Sequence, residues 1–70
     1  MKNSLKVERA KKNMTQAKLS ELAGVSRQTI NAIEQGNYNL STILALKFAS
    51  IFETSIHEIF LLEDKDWVKK

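Results

Sequence analysis

The chain has 70 residues, 43% of them hydrophobic, and a formal net charge of +3, which confines it to one small domain whose core is marginal without tight helix packing or a second subunit. It contains no cysteine, which excludes a disulfide framework, a thiol nucleophile and a Cys-based zinc site and fits a reducing compartment. No apolar run approaches the roughly 18 residues of a membrane span and no signal-peptide apolar region opens the chain, so a cytoplasmic location is expected, without membrane contact.

The charge is unevenly spread. Residues 1–50 carry eight Lys or Arg against three Glu, a net of +5, whereas residues 51–70 carry three against five, a net of −2. A basic side of this kind suits a surface that meets phosphates, and it also suits an ordinary solvated lysine face.

In chain order, Asn3 or Ser4 is expected to cap a first helix running to about Lys12, with Leu5, Val7 and Ala10 turned inward. Met14 then leads into Thr15, a cap for a second helix in which Leu19, Leu22 and Ala23 recur at helical spacing. Gly24 interrupts this pattern where a helix end needs a positive φ. Ser26 caps a third helix that buries Ile30 and Ile33, with Val25 leading in. Ser20 is small enough for the two helices to cross closely. The stretch Gln16 to Gln35 therefore reads as helix, tight turn, helix.

That geometry leaves Arg27, Gln28, Thr29 and Asn31 on the exposed side of the third helix. Their side chains suit base edges: Arg can make two bonds to guanine, Gln and Asn two bonds to adenine, and Thr offers a hydroxyl and a methyl. Lys18 stands at the third position of its helix, where a cation opposes the helix dipole unless a phosphate lies nearby. Lys18 and Ser26, both at helix starts, are accordingly candidate phosphate contacts.

Gly36 ends the third helix, and Asn37, Tyr38 and Asn39 form a polar loop. Ser41 caps a fourth helix to about Phe52, with Leu44, Ala45, Phe48, Ala49 and Phe52 on one face, and Ile43 off that face and free for a contact elsewhere. Ser55 with Glu58 reads as a reciprocal capping box opening a short fifth helix, with Ile56, Ile59 and Phe60 inward. His57 has no second His or Cys beside it and reads as a surface residue, so no metal is expected. The tail beyond Phe60 keeps Leu61, Leu62, Trp67 and Val68, apolar residues without a place in a five-helix core.

The run TQAKLSELAGVSRQTINAIEQGNYN followed by STILALKFASIFETSIHEIF resembles the Cro/repressor-type helix-turn-helix family over roughly Met1 to Phe60. The resemblance implies an all-α, compact five-helix repressor-like DNA-binding domain over residues 1–60. For residues 61–70 it implies a tail that extends as a short strand pairing in a dimer, in preference to a frayed end. It further implies that Gln16 donates its amide to a DNA phosphate, and that the loop of Asn37, Tyr38 and Asn39 lies along the DNA backbone. A tyrosine packed on its own domain is the other reading of Tyr38. Arg9 resembles the arginine that pairs with a glutamate at the end of the recognition helix, here Glu34; two unrelated surface charges are the alternative. Departures from the family are Glu8 where an apolar residue is usual, Leu40 where proline is common, and Glu53 and Thr54 in place of a glycine and an apolar residue.

No catalytic constellation stands out, nor any sign of a cofactor or small-molecule ligand. The leading expectation is a sequence-specific regulator of transcription, a repressor, that binds double-stranded DNA as a homodimer on a palindromic operator, with Ile43, Leu61, Leu62 and Trp67 at the dimer interface. An antitoxin-like protein-interaction module with secondary DNA binding is the alternative. RNA binding is disfavoured because aromatic residues do not cluster on the basic side.

Overall fold

The computed structural model describes residues 1–67. Five helices dominate it: α1 (Leu5–Lys11), α2 (Gln16–Ala23), α3 (Arg27–Glu34), α4 (Thr42–Phe52) and α5 (Ile56–Ile59). Two short strands, β1 (Lys2–Asn3) and β2 (Phe60–Leu61), pair antiparallel with Lys2 opposite Leu61 and Asn3 opposite Phe60. A 3-10 turn follows over Asp64–Trp67.

Three of the helices open on a hydroxyl that accepts from a free backbone amide. Thr15 accepts from the Lys18 amide at 3.0 Å, Ser26 from Thr29 at 3.1 Å and Ser41 from Leu44 at 3.1 Å. Each such cap contributes about 1 kcal/mol. α1 is started differently. The hydroxyl of Ser4 reaches instead to the Glu58 carbonyl at 3.2 Å, while Asn3, one residue earlier, accepts from the Leu5 amide at 3.1 Å.

The expected capping box of α5 does not form. Ser55 makes no side-chain cap, because its own carbonyl takes the Glu58 amide at 3.1 Å in a helix only one turn long. That turn is held by its surroundings: the Ser4 amide donates to the Ile59 carbonyl at 2.8 Å, and Ile59 and Phe60 are buried.

One apolar core runs through the molecule, built from Leu5, Leu19, Ala23, Ile30, Ile33, Leu44, Ala45, Phe48, Phe52, Ile59 and Phe60. Phe48 is fully enclosed at its centre, its ring 6.2 Å from that of Phe60. Each large side chain so buried is worth about 1.5–3 kcal/mol.

Two inward assignments on α1 are corrected. Val7 is 54% exposed and Ala10 is exposed as well. At 100° per residue, Val7 lies 200° round the helix from the buried Leu5, and only positions three and four residues on share its face. Those positions are Glu8 and Arg9, both half-buried, so beside Leu5 this face of α1 is polar where an apolar pair was expected, and Arg9 reaches Glu34 of α3. On α2, Leu22 is likewise 48% exposed, and the buried seam is Leu19 with Ala23.

A left-handed residue follows each of the first four helices, Asn13 at φ +52° after α1 and Gly36 after α3 among them. Gly24 closes α2 at φ +75° and Glu53 closes α4 at φ +54°. The first needs glycine; the second is strained, as the departure at Glu53 foreshadowed. Strand formation at the C-terminal end takes an unforeseen route, since β2 finds its partner in the chain's own first residues. From Asp64 the tail coils into the 3-10 turn, and Glu63 and Asp66 hold the Met1 amine at 2.8 and 3.1 Å. Val68 lies outside the described residues.

Candidate nucleic-acid interface

The turn between α2 and α3 is set by local chemistry. Left-handed Gly24 lets its own amide and that of Val25 bond back to the Ser20 carbonyl at 2.9 and 3.1 Å. An extended Ser26 then starts α3 in a new direction. Lys47 of α4 donates to the Ala23 carbonyl at 3.1 Å, so this lysine helps to cap the end of α2.

At the exposed start of α3, Arg27 and Gln28 both face solvent, and Arg27 forms no salt bridge among the described residues. Thr29 is half-buried, with its hydroxyl 2.9 Å from that of Ser26. In such a pair one hydroxyl donates to the other, which leaves one hydroxyl hydrogen for an outside acceptor. Asn31 is exposed one turn further along. A shallow groove bounded by Arg9, Thr15, Gln16, Ala17 and Arg27 joins the start of α2 to the start of α3.

Behind this surface lies a polar seam. Arg9 meets Glu34 with two parallel bonds, Nε to Oε2 at 2.6 Å and Nη2 to Oε1 at 3.1 Å, and its third contact is Nη1 to the Met14 carbonyl at 2.8 Å. The paired side chains are only 13% and 5% exposed. One guanidinium thereby ties α1, the α1–α2 link and α3 together. Burial alone would raise the Glu34 carboxyl, but the hydrogen bonds from Arg9 and Gln16, with the charges of Arg9 and Lys6, outweigh it and hold the group below its usual range.

Gln16 also belongs to this seam. Its Nε2 donates to Glu34 Oε1 at 3.0 Å and to Asn31 Oδ1 at 3.2 Å. Lys18 stays on the surface, 3.6 Å from Glu21. Asn37, Tyr38 and Asn39 are exposed on the loop after α3, with Tyr38 at 43%. That loop starts from a second left-handed glycine, Gly36 at φ +79°.

A helix-turn-helix family model matches residues 5–59, a span that runs from α1 through α5. The chain belongs to the Cro/repressor-type helix-turn-helix family. An HTH-type transcriptional regulator of Methanocaldococcus jannaschii is 52% identical over 66 residues, covering 94% of this chain and all of that one. One from Archaeoglobus fulgidus is 42% identical over the full length of both, and one from Bacillus subtilis is 44% identical over 94% of this chain and all of its own. Among solved structures, the restriction-modification controller protein C.AhdI from Aeromonas hydrophila superposes with a TM-score of 0.73 at 30% identity, over 80% of this chain and 85% of that one.

Within this helix-turn-helix framework one contact carries no signal in the sequence. Asn3 joins α1 to the end of α3, its Nδ2 donating to the Ile33 carbonyl at 2.7 Å. An Asn ahead of a helix signals a cap and carries no sign of a second partner thirty residues away. The amide of Gln16, expected to donate to a phosphate, directs hydrogens to Glu34 and Asn31 in the protein alone. Among the described residues no helix is long and apolar enough to cross a membrane.

Proposed function

We propose that the protein is a sequence-specific, duplex-DNA-binding regulator of transcription, a repressor that works as a homodimer on a palindromic operator and blocks access of the polymerase. One observation carries this reading: Arg27 and Gln28 stand uncommitted at the exposed start of a helix that is braced from behind by a buried ion pair. Arginine and glutamine at that place suit guanine and adenine in the major groove. Lys18, Ser26 and the loop of Asn37, Tyr38 and Asn39 flank it as contacts to the phosphates, which fix register without reading sequence.

The homodimer is supported by apolar side chains outside the core. Ile43 is 69% exposed, Leu61 58%, Leu62 60% and Trp67 67%. Two-fold symmetry would set the two copies of α3 about 34–36 Å apart, one turn of DNA. The same apolar surface would serve a protein partner in an antitoxin-like role, the second reading. Selection of bound duplexes from a random pool tests the proposal. The expected product is an inverted repeat bound with a log–log salt slope of roughly −0.9 per phosphate neutralised. Binding that ignores salt, or no selected duplex, would refute it.

A further inference from the structure

The seam behind α3 has a direction. A carboxylate can only accept hydrogen bonds, so the part of Gln16 that meets Glu34 at 3.0 Å is its amide nitrogen. The second hydrogen of that nitrogen points to Asn31, 3.2 Å away, and Asn31 must therefore turn its oxygen toward α2. Its amide nitrogen is left on the side away from α2, and no described residue takes a hydrogen from it. Arg9, bonded twice to Glu34, anchors the start of the chain. An isolated asparagine flips its amide freely; this one has its oxygen and nitrogen assigned by groups two residues deep.

We propose that Gln16 is a positioning residue for base recognition, locking the side-chain amide of Asn31 with its nitrogen outward so that Asn31 reads a hydrogen-bond acceptor on a base edge. The inference rests on the DNA-binding reading above. Purine N7, guanine O6 and thymine O4 satisfy such a donor, whereas the N4 amino group of cytosine, itself a donor, opposes it. Gln16 has no amide hydrogen left for a phosphate unless one of its internal bonds opens.

Two variants and one spectrum test this. In the free protein, the Gln16 side-chain amide protons should exchange with water more slowly than those of Asn31 in a 15N-resolved NMR experiment; equal rates would overturn the lock without reference to DNA. Against the selected duplex and its single-base changes, Gln16→Leu should broaden the preference at one base pair per half-site by a larger factor than it changes affinity for unrelated DNA. Asn31→Asp keeps the oxygen that Gln16 bonds but loses the outward donor. Relative to unrelated DNA, binding to which its added negative charge also weakens, it should lose about 5- to 150-fold on the preferred duplex, the span of one specific base contact, and lose least on the duplex with cytosine at that position. If Gln16→Leu lowers every duplex by one factor, or Asn31→Asp does so, the residue acts on phosphate and the proposal fails. Should the wild-type protein select no duplex while the exchange pattern is as expected, the DNA reading itself falls and the base-reading role falls with it.

Discussion

The N-terminal three helices and the C-terminal end of the molecule are built on opposite terms. Around α1–α3 the polar groups find each other: Arg9, Glu34, Gln16 and Asn31 form one connected network, and the turn from α2 has glycine where a left-handed residue is required. Around α4, α5 and the tail, Glu53 occupies the same backbone conformation without glycine's freedom, Ser55 leaves its helix uncapped, and Ile43, Leu62 and Trp67 remain exposed. The contrast teaches that side-chain hydrogen bonding is concentrated behind α3, while the most exposed large apolar side chains, Ile43 and Trp67, lie at the other end.

The sharpest way to break this contrast is Arg9→Ala. It strands a 5% exposed carboxylate, and losing one partner of a buried pair costs about 3–5 kcal/mol in denaturant titration. A loss below about 1 kcal/mol would show the pair to be no better than a surface contact. The pH dependence has a definite sign. Because the folded-state Glu34 carboxyl lies below its usual range, its stabilisation is complete above the ordinary glutamate value of about 4.3 and is lost as pH falls through the folded value. In Arg9→Ala burial prevails and Glu34 is more easily protonated, so the gap between variant and wild type should narrow in acid.

A smaller loss is expected from Asn3→Ala, which removes the bond to the Ile33 carbonyl and the cap on Leu5. Unsatisfied groups of this sort cost about 1–3 kcal/mol. Unfolding that matches wild type would mean that water replaces both bonds.

Much of this architecture was legible in the residues. Thr15, Ser26 and Ser41 announced their helices because a hydroxyl cap is a local event, settled within three residues. Gly24 marked the turn for the same reason. Failures came where the partner is distant in sequence. Val7 and Ala10 read as inward, but the face of α1 that is covered runs from Leu5 through Glu8 and Arg9. The pairing of β2 with Lys2–Asn3 joins the two ends of the chain, and a two-residue strand leaves no periodic pattern. On α3, Arg27, Gln28 and Asn31 were legible as an exposed polar set, whereas Thr29 is half-buried. The inward bonding of Gln16 was not legible, since it depends on how α2 and α3 cross.

At the C-terminal end the expected effects are smaller and one has the opposite sign. Glu53→Gly should raise stability by about 1 kcal/mol or less, the left-handed strain relieved minus the flexibility that glycine adds to the unfolded chain. A destabilised variant would indicate that the Glu53 side chain contributes more than its backbone strain costs. Ile43→Ser should change monomer stability by no more than about 0.5 kcal/mol, as for other exposed sites, yet shift sedimentation toward the monomer. An unchanged dimer would remove Ile43 from the interface.

The central claim, that the start of α3 reads sequence, is tested most directly by measuring Gln28→Ala against the selected duplex, each of its single-base changes and unrelated DNA. A loss of about 1–3 kcal/mol of discrimination at one or two positions per half-site, with affinity for unrelated DNA nearly constant, is the predicted result. A uniform fall across all sequences, with the pattern of base preference intact, would contradict it.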